Sequence, residues 1–189
     1  MICKRYALAR NGEFSTREEN GERSIEGYFA VYNGRYDLWD GAYETIDAGA
    51  FEGETGGDVR ALTNHDTTLV LGRTTAGTLE LRADDRGLWG KIKINPADQD
   101  AVNLYERVKR GDVSQCSFGF DIIDQTMEEA RGETVWHIRK VKLYEVSVVT
   151  FPAYEETGVT ARKAEMAEAV KRKNEQWRHN MLIRLKGEK

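Results

Sequence analysis

The sequence predicts a mostly antiparallel β fold, mainly β with helices (α+β), and three observations lead there. Strand-length segments rich in β-branched and aromatic residues recur through most of the chain. Asn33-Gly34, Asp40-Gly41 and Arg86-Gly87 supply turn chemistry between them. Helical periodicity, by contrast, is confined to one internal stretch and the C-terminal end.

In order, strands are expected over Cys3–Arg10, Ser24–Tyr32, Val59–Thr63, Leu69–Gly72, Thr78–Arg82 and Leu88–Ile94. Three more follow, over Val113–Ile123, Thr134–Val141 and Leu143–Thr150. The internal helix opens with Asn95 as N-cap and Pro96 at the first helical position. Ala101, Leu104, Tyr105 and Val108 then recur at helical spacing, and Gly111 stops it. A second helix is expected from about Lys163 to Lys186. It is heavily charged, with a stripe of Val170, Trp177, Met181 and Leu185 too thin to bury much alone. The expected architecture is therefore an antiparallel β-barrel over residues 1–160 with one interior helix, followed by a charged helical tail over 161–189.

Composition bounds the function classes. The 189 residues are 40% hydrophobic and 10% aromatic, enough to build a core rather than a disordered chain. A net charge of -4, with acids and bases mixed along the chain, argues against a nucleic-acid-binding protein, which would concentrate bases on one face. No stretch approaches the roughly 20 apolar residues of a membrane span. Two cysteines, Cys3 and Cys116, and a start without a secretory leader predict a reducing, cytoplasmic setting. Two distant cysteines make no zinc site, and the acids of the Asp37–Glu44 loop lack metal-ligand spacing. No phosphate-binding glycine loop appears, so neither a cofactor nor a metal is expected.

The residues able to carry chemistry are few. Of the three histidines, His179 lies on the charged tail and His137 in an alternating run expected to face solvent. His65, in Asn64-His65-Asp66, ends a short apolar strand, where an imidazole can serve either as a general base or as a hydrogen-bonding loop group. In Ser114-Gln115-Cys116-Ser117-Phe118-Gly119, strand alternation puts Ser117 on one face with Gln115 and Gly119. Gly119 is expected to leave open space beside that hydroxyl for a substrate backbone. Alone, Ser117 reads as a small residue packed in a barrel, since a serine within a strand is common. Cys116, without a basic neighbour in sequence, reads as an inert core thiol. Glu145 is a lone carboxylate in the apolar run Leu143–Thr150. It must either reach solvent or find a partner, because burying it unpaired costs several kcal/mol. Bonded to an imidazole nitrogen, it would fix the tautomer and stabilise the imidazolium.

Taken together, these segments resemble the tailed-phage prohead protease family. The resemblance runs through Gly27-Tyr28-Phe29-Ala30-Val31-Tyr32, Asp47-Ala48-Gly49-Ala50-Phe51, Asn64-His65-Asp66 and Leu71-Gly72-Arg73. It continues through Asp85-Arg86-Gly87-Leu88, Val108-Lys109-Arg110-Gly111 and Ser117-Phe118-Gly119-Phe120, and closes with Glu145–Tyr154, covering nearly residues 1–160 in the family's order. It implies a barrel like that of the herpesvirus capsid assembly proteases and a serine endopeptidase. His65 would be the general base, Ser117 the nucleophile and Glu145 the orienting acid, with Ser114 the alternative nucleophile and Asp66 the alternative acid. The herpesvirus relatives place a second histidine where Glu145 falls. The implied partners are the phage major capsid protein with its scaffolding segment, and a second copy of the chain as a dimer, with no nucleic acid and no membrane. The implied location is the immature prohead in the host cytoplasm, and the tail beyond Arg162 is either a scaffold-targeting region or a self-cleavage segment. The competing class is a non-enzymatic capsid or scaffold component with the same barrel; a small-ligand-binding barrel is the third.

Overall fold

The computed structural model describes residues 5–9, 14–151 and 156–187. Its strands are β1 (Arg5–Ala9), β2 (Ser15–Glu19), β3 (Glu22–Val31), β4 (Tyr36–Trp39), β5 (Ala42–Ile46) and β6 (Arg60–Thr63). They continue with β7 (Asp66–Arg73), β8 (Leu79–Ala83), β9 (Gly87–Lys93), β10 (Gln115–Ala130) and β11 (Glu133–Val149). Helix α1 (Gln99–Arg110) joins β9 to β10, and α2 (Glu156–Gly187) follows the last strand. Residues 3, 4 and 10 of the expected first strand lie outside the described residues, as do Cys3 and the Pro152-Ala153-Tyr154 end of the family motif.

Among the described residues the strands do not close into the expected barrel. Seven strands make one sheet in the order β1-β10-β11-β5-β4, with β6 between β11 and β7, and four make a second in the order β2-β3-β9-β8. Among the described strands no ladder joins the two sheets; instead their apolar faces meet in one core. Ile25, Phe29, Leu88 and Ile92 come from the smaller sheet, and Phe118, Phe120, Val146 and Val148 from the larger. Phe118 stacks on Phe120 at 4.7 Å between centroids and meets Phe51 edge-on at 5.4 Å. Each such fully buried side chain contributes about 1.5–3 kcal/mol of transfer free energy. Most pairings are antiparallel, but β11 is long enough to take β5 along Thr134–Ile138 and β6 along Glu145–Val148, both parallel.

Several boundaries differ from the sequence reading. The two strands expected at the C-terminal end are one, because Lys142 continues the ladder opposite Asp121. The Asp37–Glu44 segment is a hairpin, β4 to β5, turning at Asp40-Gly41. Helix α1 starts later than Asn95: Asp98 is the N-cap, its carboxylate accepting from the amides of Asp100 and Ala101. The buried stripe is as expected, Ala101, Leu104, Tyr105 and Val108, and Gly111 closes the helix with φ 87°. Asp100 in the first turn and Arg107, Lys109 and Arg110 in the last complement the helix dipole.

Residues Met1–Ala153 and Tyr154–Lys189 form two separate compact units. The second is α2, which begins before the expected Lys163 and exposes Val170, Trp177 and Met181; the side chain of Leu185 lies outside the described residues. Among the described residues no helix is long and apolar enough to cross a membrane.

One irregularity of β11 positions the site. Val141 and Leu143 face the core, and so do Val146 and Val148, so the inward face changes from odd to even positions. The change is made by a β-bulge: Phe120 opposes Leu143 but Gly119 opposes Glu145, with Tyr144 the extra residue. The Tyr144 hydroxyl donates to Asp121 Oδ2 at 2.8 Å, tying the bulge to β10. Without this shift Glu145 and Ser147 would follow Leu143 into the core.

Candidate active site

On β10 the core takes Cys116, Phe118 and Phe120, which turns Ser117 and Gly119 to the opposite face. The ladder sets Ser117 directly across from Ser147, and Gly119 across from Glu145. Directly opposed residues point the same way, so the four form a two-by-two patch on the outer face of the larger sheet. It is polar yet enclosed. Ser117 is 1% exposed, Ser147 0% and Glu145 5%.

His65 reaches this patch from a hairpin tip. Thr63 pairs with Asp66, leaving Asn64 and His65 as a two-residue turn with φ 50° and 62°. Positive φ at both positions is the type I′ arrangement, which normally wants glycine second. Two other hairpins obey that rule, with Asn20-Gly21 and Arg131-Gly132. His65 occupies the seat that glycine takes in both, and a bulky residue there carries backbone strain.

The tip is fastened down. Asn64 N–H donates to Val148 O at 3.0 Å, and Thr150 N–H donates to Asn64 Oδ1 at 2.8 Å. His65 N–H donates to Ser147 Oγ at 3.2 Å. At the hairpin's other end, Arg73 makes two bonds to Asp58, of 2.6 and 2.7 Å, and this guanidinium pulls the Asp58 carboxyl down to about 2.

So placed, His65 Nδ1 lies 2.7 Å from Glu145 Oε1, with the imidazole side chain 14% exposed. Nε2 on the far side of the ring is buried. The other carboxylate oxygen, Oε2, accepts from Ser147 Oγ at 2.6 Å. The carboxylate leans over Gly119, where a β-carbon would stand 2.5 Å from Oε1. This corrects one expectation: the space beside Ser117 that Gly119 leaves is filled by the acid, not left open to substrate. It also fixes on which face the imidazole lies, the one that carries Ser117.

The structure thus brings Ser117, His65 and Glu145 to one face and keeps the two alternatives elsewhere. Ser114 is exposed, ahead of the first residue of β10. Asp66 is exposed and turned to its own strand, where Thr68 N–H and Oγ1 donate to Oδ1 at 2.8 and 2.6 Å and hold the carboxyl below its ordinary range. Cys116 is buried in the core, its thiol donating to Tyr28 O at 3.1 Å. His137 is not simply solvent-facing: it bonds Asp47 and Glu128 through its two ring nitrogens. His179 is exposed on α2. Among the described residues no group of three His, Cys, Asp or Glu side chains is arranged to hold a metal ion.

Sequence reasoning missed Ser147. A serine between two valines in a strand carries no signal by itself. The clue was the change of inward parity from Val141 and Leu143 to Val146 and Val148, which puts residue 147 beside Glu145 on the outer face.

A single imidazole bonded to a buried carboxylate, on a sheet face with a buried serine, is the parts list of a nucleophilic acyl-transfer site. Comparison with a family model points the same way. The family model described as caudovirus prohead serine protease matches residues 11–172. The prohead protease of Enterobacteria phage HK97 is 29% identical over 151 residues, covering 77% of this chain and 63% of that protein; the chain thus spans less than two thirds of its relative. The solved structure of the bacteriophage T4 capsid assembly protease aligns with a TM-score of 0.48 and 12% identity, over 79% of this chain and 98% of that one.

Proposed function

From the premise that the chain belongs to the caudovirus prohead serine protease family, we propose that it is a serine endopeptidase with Ser117, His65 and Glu145 as its catalytic residues. Ser117 Oγ attacks the carbonyl carbon of a peptide bond while His65 Nε2 takes its proton. Glu145 Oε1 accepts from Nδ1–H and stabilises the imidazolium that forms. His65 then passes the proton to the leaving amine, and the acyl-serine is hydrolysed by water that His65 activates in turn.

The observation that carries this reading is the 2.7 Å contact of His65 Nδ1 with Glu145 Oε1. It commits one ring nitrogen to a carboxylate and leaves proton exchange to Nε2, on the face where Ser117 is the buried hydroxyl opposite Ser147. The substrates in this reading are the scaffolding segment of the phage major capsid protein and the enzyme's own charged tail, cut inside the immature head in the host cytoplasm. Kinship with the herpesvirus barrel, and pairing with a second copy as those relatives pair, rest on the family resemblance alone.

Co-expression with the phage's major capsid protein tests the proposal. The wild-type chain should shorten the capsid protein, and Ser117→Ala and His65→Ala should each leave it full length. An uncut capsid protein beside the wild type would favour the assembly component without chemistry, and cutting by both variants would overturn the residue assignment.

A further inference from the structure

We infer that Ser147 is a positioning residue that aligns the His65–Glu145 pair, an inference that rests on the base and acid roles given above. The Ser147 hydroxyl has one proton, and it goes to Glu145 Oε2 at 2.6 Å. One of its lone pairs accepts from the backbone N–H of His65 at 3.2 Å. One side chain therefore holds both partners of the catalytic contact: the carboxylate through its second oxygen and the imidazole through the backbone that carries it.

Each bond answers a local need. A carboxylate bonded only through Oε1 can rotate about its last carbon–carbon bond; a second bond at Oε2 fixes its plane, and so the direction from which it meets Nδ1. His65 sits at φ 62°, a backbone setting that persists only where surrounding contacts over-determine it. The bond to Ser147 is such a contact, made at the residue whose backbone is strained. Ser147 is fully buried beside Val146, Val148 and Val149 on β11, where an apolar residue would otherwise be the ordinary choice. Its proton is committed to the acid, so it cannot be handed to Nε2 without first breaking the arrangement that makes His65 a base. That separates it in role from Ser117, the residue across the ladder.

The test uses the full chain, a fluorophosphonate reagent that esterifies activated serines, and an isosteric pair of variants. Ser147→Thr keeps the hydroxyl, and Ser147→Val has the same shape without it; Ser147→Ala is the reference if the added methyl crowds the sheet. The fluorophosphonate should modify Ser117 roughly ten- to hundred-fold more slowly in Val and Ala variants than in wild type. The Thr variant should recover most of that rate. The reagent's reversible binding constant should change little. The downfield imidazole Nδ1–H resonance, identified by its loss in His65→Ala, should persist in wild type and Thr and broaden away in Val and Ala. Equal rates in Thr and Val, or an unchanged resonance in Val and Ala, would overturn the positioning role. If the wild type is not labelled at all, the peptidase reading fails, and the resonance alone still decides whether Ser147 aligns the pair.

Discussion

Gly119 lies directly across the ladder from Glu145, and a β-carbon there would stand 2.5 Å from Oε1 and 3.0 Å from Cγ. The glycine is thus required by a side chain on the neighbouring strand, since the acid reaches His65 only by lying over β10.

Gly119→Ala should therefore disable the site without removing any of its polar atoms. The added methyl displaces the carboxylate from Nδ1, and the expected result is roughly a hundred-fold fall in kcat. Overpacking should cost about 1–3 kcal/mol of stability. Chemical denaturation and capsid-protein cleavage by the purified variant measure the two effects separately.

The strain at His65 makes a second expectation. His65→Gly and His65→Ala both remove the imidazole and should both be inactive. They differ in backbone, because alanine keeps the steric cost of positive φ and glycine does not. His65→Gly should be more stable than His65→Ala by about 1 kcal/mol, read from urea midpoints at equal m-value. Equal stabilities would show that the turn relaxes to another conformation once the imidazole is gone.

His137, away from the site, sets a pH dependence. Burial alone would lower its pKa, but the carboxylates of Asp47 and Glu128 outweigh that and raise it above the ordinary 6.5. A raised folded-state value means a stabilisation fully present below the unfolded value and lost as pH rises through the folded one. Wild type should exceed His137→Gln in urea midpoint at about pH 6, and the gap should narrow by about pH 8. A gap that widens with pH would contradict the ion pairing.

The legible and hidden parts of this molecule divide along physical lines. The helical stripe Ala101, Leu104, Tyr105 and Val108 and the glycine stop at Gly111 were readable because both signals are local. Its start was misread because Asn95-Pro96 and Asp98 are both plausible openings, and only Asp98 caps α1, while Asn95 Oδ1 accepts from Ala97 N–H in the preceding turn. Strand β2, Ser15–Glu19, escaped notice because it has no apolar alternation to show. His65, Ser117 and Glu145 could be nominated from residue type and family order, but not the His65–Glu145 contact or its place on the face that carries Ser117. That depends on the Tyr144 bulge and on a type I′ turn without glycine, neither of which has a composition signature. Closure of the sheet was over-read for a related reason: alternation reports that a strand has one buried face, not which strands lie beside it.

The central claim is that one serine, activated through His65, is the nucleophile. Peptide mapping of the fluorophosphonate adduct tests it most directly. The adduct should sit on Ser117 in the wild-type chain and be absent from His65→Ala. An adduct on Ser114 or Ser147, or one on Ser117 that forms equally fast without the imidazole, would contradict the account.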